Sequence, residues 1–224
     1  MSQNWWKLAG MAGVVTAVVF VVSFILFGEP PALDDPAGDI RAYFEDSGSQ
    51  IQFANWLVAL AVALFFLVFA SGLRGLLGAA DADTRGMWSR ASFAGAVAVA
   101  AVGGAGSAFW GTATLHTDSL SDDVLVALHQ LDALLYQVAM PWGFALFLGA
   151  ASLVIIRSGV LWAWLGWFGI LTAVLQVVGA LWPLSGDNEG FLGILGVIGL
   201  SLSFLWILIA GVGMMRMESP PAEA

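Results

Sequence analysis

Six stretches of this chain are each long and apolar enough that lipid, rather than water, is the solvent they suit. A helix crossing a hydrocarbon core of about 30 Å needs roughly 20 mostly apolar residues. The runs Leu8–Phe27, Ile51–Leu77, Ala91–Leu115, Val124–Ile156, Val160–Leu184 and Phe191–Met215 all meet that length. Lipid offers the backbone no hydrogen-bond partners, so such runs are helices. Barrel strands alternate over about ten residues, and these runs are too continuous for that. Of the 224 residues, 60% are hydrophobic and only 10% charged, against about 25% charged in soluble domains. The spacing predicts one all-α integral membrane domain of six helices over residues 1–217, with a short polar tail at 218–224 that reads as disordered.

Lys and Arg set the orientation. Lys7, Arg74, Arg85, Arg90, Arg157 and Arg216 all fall on one side if six helices alternate, and only Arg41 falls on the other. That places both termini in the cytoplasm. The acids run the opposite way: Glu29, Asp34, Asp35, Asp39, Glu45, Asp46, Asp118, Asp122, Asp123, Asp187 and Glu189 face outward. The first run ends in Phe27-Gly28-Glu29-Pro30-Pro31 with no small-x-small cleavage site, so it reads as a retained helix of a multi-pass cell-membrane protein.

Amphipathic indole rings favour the headgroup level. Trp5, Trp6, Trp88, Trp162 and Trp164 lie near the inner boundary and Trp56, Trp110 and Trp182 near the outer one, while Trp142, Trp167 and Trp206 lie deeper and read as packing residues. In the first outer loop, Asp35-Pro36 suits a helix start. Ile40, Tyr43 and Phe44 then share one face. This predicts a short amphipathic surface helix that caps the bundle.

Small residues let helix backbones approach closely in lipid. Gly103, Ser107 and Gly111 are spaced by four, as are Ala100, Gly104 and Ala108, which predicts tight packing of the third helix. Gly193, Gly196 and Gly199 imply the same for the sixth.

A charged side chain in the membrane is a functional hypothesis by default. Asp132 is the one candidate inside a predicted helix, with His129 one turn before it and Tyr136 one turn after, all on one face. The fourth run is about 33 residues, or roughly 50 Å. It therefore overshoots the bilayer, and His129 and Asp132 are expected at the outer boundary as a partly hydrated pair that fixes the top of the helix. Gln137, Asn55 and Gln176 are the amides that, with Asp132, would line a small polar cavity near the outer leaflet. Pro141 removes a hydrogen bond and is expected to kink the helix. Ser119 or Ser121 is expected to cap the fourth helix, with Asp122 and Asp123 at its positive end. His116, His129 and Asp132 are weak metal candidates, because their spacing matches no strong signature, so no metal and no cofactor is expected.

The absence of cysteine removes disulfides, iron–sulfur clusters and cysteine-held zinc. The formal charge of -9 disfavours nucleic acid. A single lysine, Lys7 at the start, excludes a retinal Schiff base in a late helix. No phosphate-cradling glycine loop, zinc helix or serine elbow is present. The leading reading is a non-enzymatic structural, sensory or accessory bundle. Its partners are the lipid bilayer and, as candidates, another membrane protein or a small ligand. The alternatives are a small transporter or channel-like protein using an outward cavity around Asp132, and a lipid- or quinone-acting enzyme using His129 and Asp132.

The stretch Phe147-Leu148-Gly149 through Ile155-Ile156-Arg157-Ser158-Gly159-Val160-Leu161, followed by Trp164-Leu165-Gly166-Trp167, resembles a bacterial family called domain of unknown function 4386. Trp162 and Ala163 stand where Pro and Arg are expected in that pattern. The resemblance implies a small multi-helix membrane protein and supplies no activity or catalytic residue.

Overall fold

The computed structural model describes residues 4–81, 84–185 and 190–218. The polar tail from 219 onward, and the acids Asp187 and Glu189, lie outside these described residues. Helices α1 (Trp5–Phe27), α5 (Met87–His116) and α9 (Phe191–Arg216) are single rods. The second span is α3 (Gly48–Leu60) joined to α4 (Leu67–Ala80) through a π-helical turn at Ala61–Phe66. The fourth is α6 (Asp122–Leu134) joined to α7 (Met140–Ser158) through a second π turn at Leu135–Ala139. The fifth is α8 (Ala163–Gly179) with a 3-10 turn at Trp182–Leu184. Among the described residues, six helices are thus long and apolar enough to cross a membrane.

The spans pack as an antiparallel ring, each against its neighbours in sequence, and α9 closes the ring against α1. Small residues make the tightest crossings. A Cβ on Gly10 of α1 would stand 2.5 Å from the Gly211 carbonyl of α9, and Gly179 of α8 meets Gly196 of α9 backbone to backbone. Gly95 of α5 abuts Gly143 and Phe147 of α7. Interhelical hydrogen bonds reinforce the contacts. The Ser92 hydroxyl donates to the Phe147 carbonyl at 3.0 Å, and the Trp206 indole to the Leu165 carbonyl at 2.9 Å.

One end of the ring is basic, carrying Lys7, Arg74, Arg85, Arg90, Arg157 and Arg216; the other is acidic. In the half toward the basic end the interior is packed with aromatic rings. Phe20 stacks on Phe204, and Phe144, Phe66, Phe147, Phe69 and Trp206 continue the aromatic contacts from helix to helix. All seven rings are buried.

Several expectations need correcting. Helix α8 begins at Ala163 rather than Val160, because Gly159 terminates α7 at φ 66° and the chain needs the next residues to reverse. Trp142 and Trp167 are exposed on the bundle's perimeter, and only Trp206 is interior packing. Trp6, Trp110 and Trp182 are buried rather than displayed as boundary rings. In α5, Ser107 and Gly103 face the interior, but Gly104 and Ala108 face outward, and a Cβ on Gly104 would meet nothing. Ser121 occupies the N-cap of α6 without a side-chain cap bond, while the Ser119 hydroxyl bonds the His116 carbonyl instead.

A short helix, α2 (Ala37–Asp46), lies in the first loop of the acidic end and buries Ile40 and Phe44. These pack with Trp110, Ala113 and Leu125 in a small second core. Arg41 ties α2 to the α5–α6 turn. Its guanidinium donates to the Asp122 carboxylate (2.6 Å), the Thr117 carbonyl (2.8 Å) and the Leu120 carbonyl (2.7 Å).

Candidate functional site: a chamber at the acidic end of the ring

Above the aromatic floor the six spans enclose a chamber of about 650 Å³. Its apolar wall comes from the acidic-end halves of α1 and α9, including Phe20, Phe24, Ile194 and Val197. Its polar wall comes from α3, α5, the α6–α7 span and α8. Its roof is the loop that leaves α1, residues 28–33.

The roof is held by side chains from the helices beneath it. The His129 Nε2 lies 3.1 Å from the Pro31 carbonyl. A carbonyl can only accept, so the ring proton sits on Nε2. Gln130 Nε2 donates to the Leu33 carbonyl at 3.1 Å, and the Tyr43 hydroxyl donates to the Phe27 carbonyl at 2.8 Å. Burial, and secondarily the Asp132 carboxyl, hold the Tyr43 phenol above its ordinary value of 10.0.

Asn55, His129, Asp132, Tyr136, Gln137 and Gln176, which the sequence groups around an outer polar cavity, all line this one chamber. Their environments differ from the expectation. His129 and Asp132 are only 3% and 7% exposed, so they form no hydrated pair. They also do not bond one another: His129 turns to Pro31, and its Nδ1 has no partner. The cause is the roof. A loop placed over α6 excludes water from residues that would otherwise stand at a wet helix end. His116 is not among the chamber-lining residues, and among the described residues no three His, Asp or Glu side chains come together to hold a metal.

Among the described residues, none gives Asp132 a hydrogen bond or an ion pair. Its Oδ1 is packed against Gly106 of α5, where an added Cβ would stand 2.7 Å away. The neighbouring amides are half used. Asn55 Nδ2 donates to the Ser107 carbonyl at 2.7 Å, and Gln176 Nε2 donates to the Ser203 hydroxyl at 2.9 Å, but Gln176 Oε1 is unpartnered. The indole N–H groups of Trp110 and Trp182, two further chamber residues, are buried and unpartnered as well. Buried polar groups are nearly always hydrogen-bonded. Five such orphans belong to residues that line this one chamber.

The π turn at Leu135–Ala139 positions two of these residues. Pro141 has no N–H for the carbonyl of Gln137, and the helix widens in the turn just before it. Tyr136 and Gln137 sit in the widened turn, and single π turns often coincide with functional sites. The sequence pointed to Pro141 but not to the form of the distortion. It gave no sign of the roof loop, or of Trp110 and Trp182 as chamber residues; a Trp in an outer helix turn reads equally as a boundary ring. No family model, curated protein or solved structure matches this chain.

Proposed function

We propose that this chain is a multi-pass protein of the cell membrane, with both termini in the cytoplasm, that holds a small amphipathic molecule in its outward chamber. It acts as a sensory or accessory component rather than as a catalyst or an open pore. The observation that carries this reading is the chamber with its unpartnered polar groups, all in the acidic half of the ring. Pockets for small ligands are mostly apolar with a few placed polar groups, and this one has that make-up. The gathering of Lys and Arg at the opposite end supports the orientation. The aromatic floor argues against a through-going path. The separation of His129 from Asp132 argues against an acid–base pair, which needs hydrogen-bond reach to a shared proton. The Arg157-Ser158-Gly159 turn supports kinship with domain of unknown function 4386, a kinship that brings no activity with it.

Native mass spectrometry of the protein taken from membranes tests this. The wild type is expected to retain a non-covalently bound small molecule, and Ala133→Trp, which fills the chamber from α6, is expected to lose it. A folded wild type that never carries a guest, or a guest retained by Ala133→Trp, overturns the reading. Because the chain has no cysteine, single cysteines at Asp34 and Arg85 report sidedness directly. Labelling of both from the same face of the membrane would refute the orientation.

A further inference from the structure

The chamber's chemistry is one-sided. Among the described residues lining it there is a carboxyl, an imidazole, amides and aromatic rings, but no Lys or Arg. Asp132 is only 7% exposed, and among the described residues no cationic side chain pairs with it. Burying an unpaired carboxylate is costly, and a cation brought by a ligand offsets that cost. Trp110, Tyr136, Trp182 and Phe27 supply aromatic lining, and ring faces attract organic cations, most of all quaternary ammonium groups. A neutral guest would offer Asp132 no charge partner, whereas a cation would. An anion would meet the Asp132 carboxyl, below a roof loop whose sequence neighbours Glu29, Asp34 and Asp35 are acidic. No three-ligand cluster exists here for a metal.

The walls also indicate the route. Helices α1 and α9 meet backbone to backbone at Gly10 and Gly211, toward the basic end. Toward the acidic end the chamber lies between them, and there its lining residues Phe24, Ile194 and Val197 are each more than half exposed. These exposed lining residues bring the apolar perimeter of the ring up to the chamber between the two helices.

We propose that the chamber is a site for an organic ammonium ion carried on an apolar body, which enters from the bilayer between α1 and α9 and takes Asp132 as its counter-ion. This deepens the binding reading above and rests on it. The ammonium has two sources: the headgroup of an amino or choline phospholipid, or a free lipophilic amine.

The test uses the full chain in nanodiscs of phosphatidylglycerol, which has no ammonium group. Binding of octyltrimethylammonium is measured by equilibrium dialysis beside its anionic counterpart octanesulfonate. The wild type is expected to bind the cation saturably and the anion not at all. Asp132→Asn keeps the side-chain volume and is expected to weaken cation binding by about tenfold or more. Val197→Trp, which adds bulk between α1 and α9 without touching the carboxyl, is expected to slow loading without changing the final level, and this second variant keeps the test valid should Asp132→Asn fold poorly. Nanodiscs containing phosphatidylethanolamine or phosphatidylcholine separate the sources. Competition by these lipids identifies a headgroup, and its absence a free amine. Equal binding of cation and anion, or cation binding indifferent to Asp132→Asn, overturns the proposal. Octanesulfonate bound in a manner lost in Ala133→Trp would retain the chamber as a site while refuting the cation. Failure of every amphiphile to bind would refute both.

Discussion

Gly95→Ala and Gly104→Ala make the same chemical change on the same helix, and the structure gives them opposite signs. In a helix interior, Gly→Ala is favourable by about 1 kcal/mol because the backbone loses less entropy. Gly104 has nothing within reach of a new Cβ, so that gain should survive there. At Gly95 the new methyl would stand 2.5 Å from the Phe147 nitrogen and 2.7 Å from the Gly143 carbonyl oxygen. Both are backbone atoms that no rotamer change can move. Ordinary contact begins near 3.4 Å, so α5 and α7 must part by about 0.9 Å. A gap of that size forfeits a quarter to a half of the dispersion well for every atom pair along the crossing. It also stretches the Ser92–Phe147 hydrogen bond, one turn away, from 3.0 Å toward breaking, and interhelical bonds in membranes are worth about 0.6 kcal/mol each. Overpacking typically costs about 1–3 kcal/mol. Set against the helix gain, Gly95→Ala should lose about 1–2 kcal/mol and Gly104→Ala should gain up to about 1 kcal/mol. Reversible unfolding in mixed micelles, followed by circular dichroism, reads both. A Gly95→Ala protein as stable as the wild type, or a Gly104→Ala protein less stable, would refute the packing geometry assigned to α5.

Three other outcomes follow from the acidic end. Without ligand, Asp132→Asn should leave stability unchanged or raise it by about 1 kcal/mol, since the carboxyl has no partner to lose; a marked loss in chemical unfolding would show a bond that the structure does not contain. Arg41→Met should speed amide exchange in α2 and in the 117–121 turn while leaving the six spans protected, because Arg41 joins those two segments; unchanged exchange would deny it that role. The Tyr43 phenol is buried and held above 10.0. A folded-state value above the unfolded one means its contribution is complete below about pH 10 and lost as pH rises beyond it. Thermal stability should therefore fall above pH 10 in the wild type, and fall less steeply in Tyr43→Phe; parallel profiles would contradict the burial of the hydroxyl.

The fold was largely legible in residue order. The six apolar runs match the six long helices to within a few residues, because insertion into lipid depends on hydropathy summed along one segment and needs no knowledge of its neighbours. The six chamber residues were legible for a related reason: polar side chains are rare in such runs and stand out. Their condition was not. Whether His129 is wet or dry depends on Pro31, 98 residues away, and whether Trp110 anchors at a headgroup or lines a cavity depends on Phe27, Tyr43 and Phe44 lying across from it.

Residue order alone therefore determined the number of long apolar helices and the polar residues set within them. Tertiary structure alone decided which face of each helix is interior, as the reversal of Trp167 and the outward turn of Gly104 show. It also decided which buried groups find a partner, leaving Asp132 without one. Both are properties of pairs of segments far apart in the chain, and a pattern read along a single helix holds no term for the helix opposite.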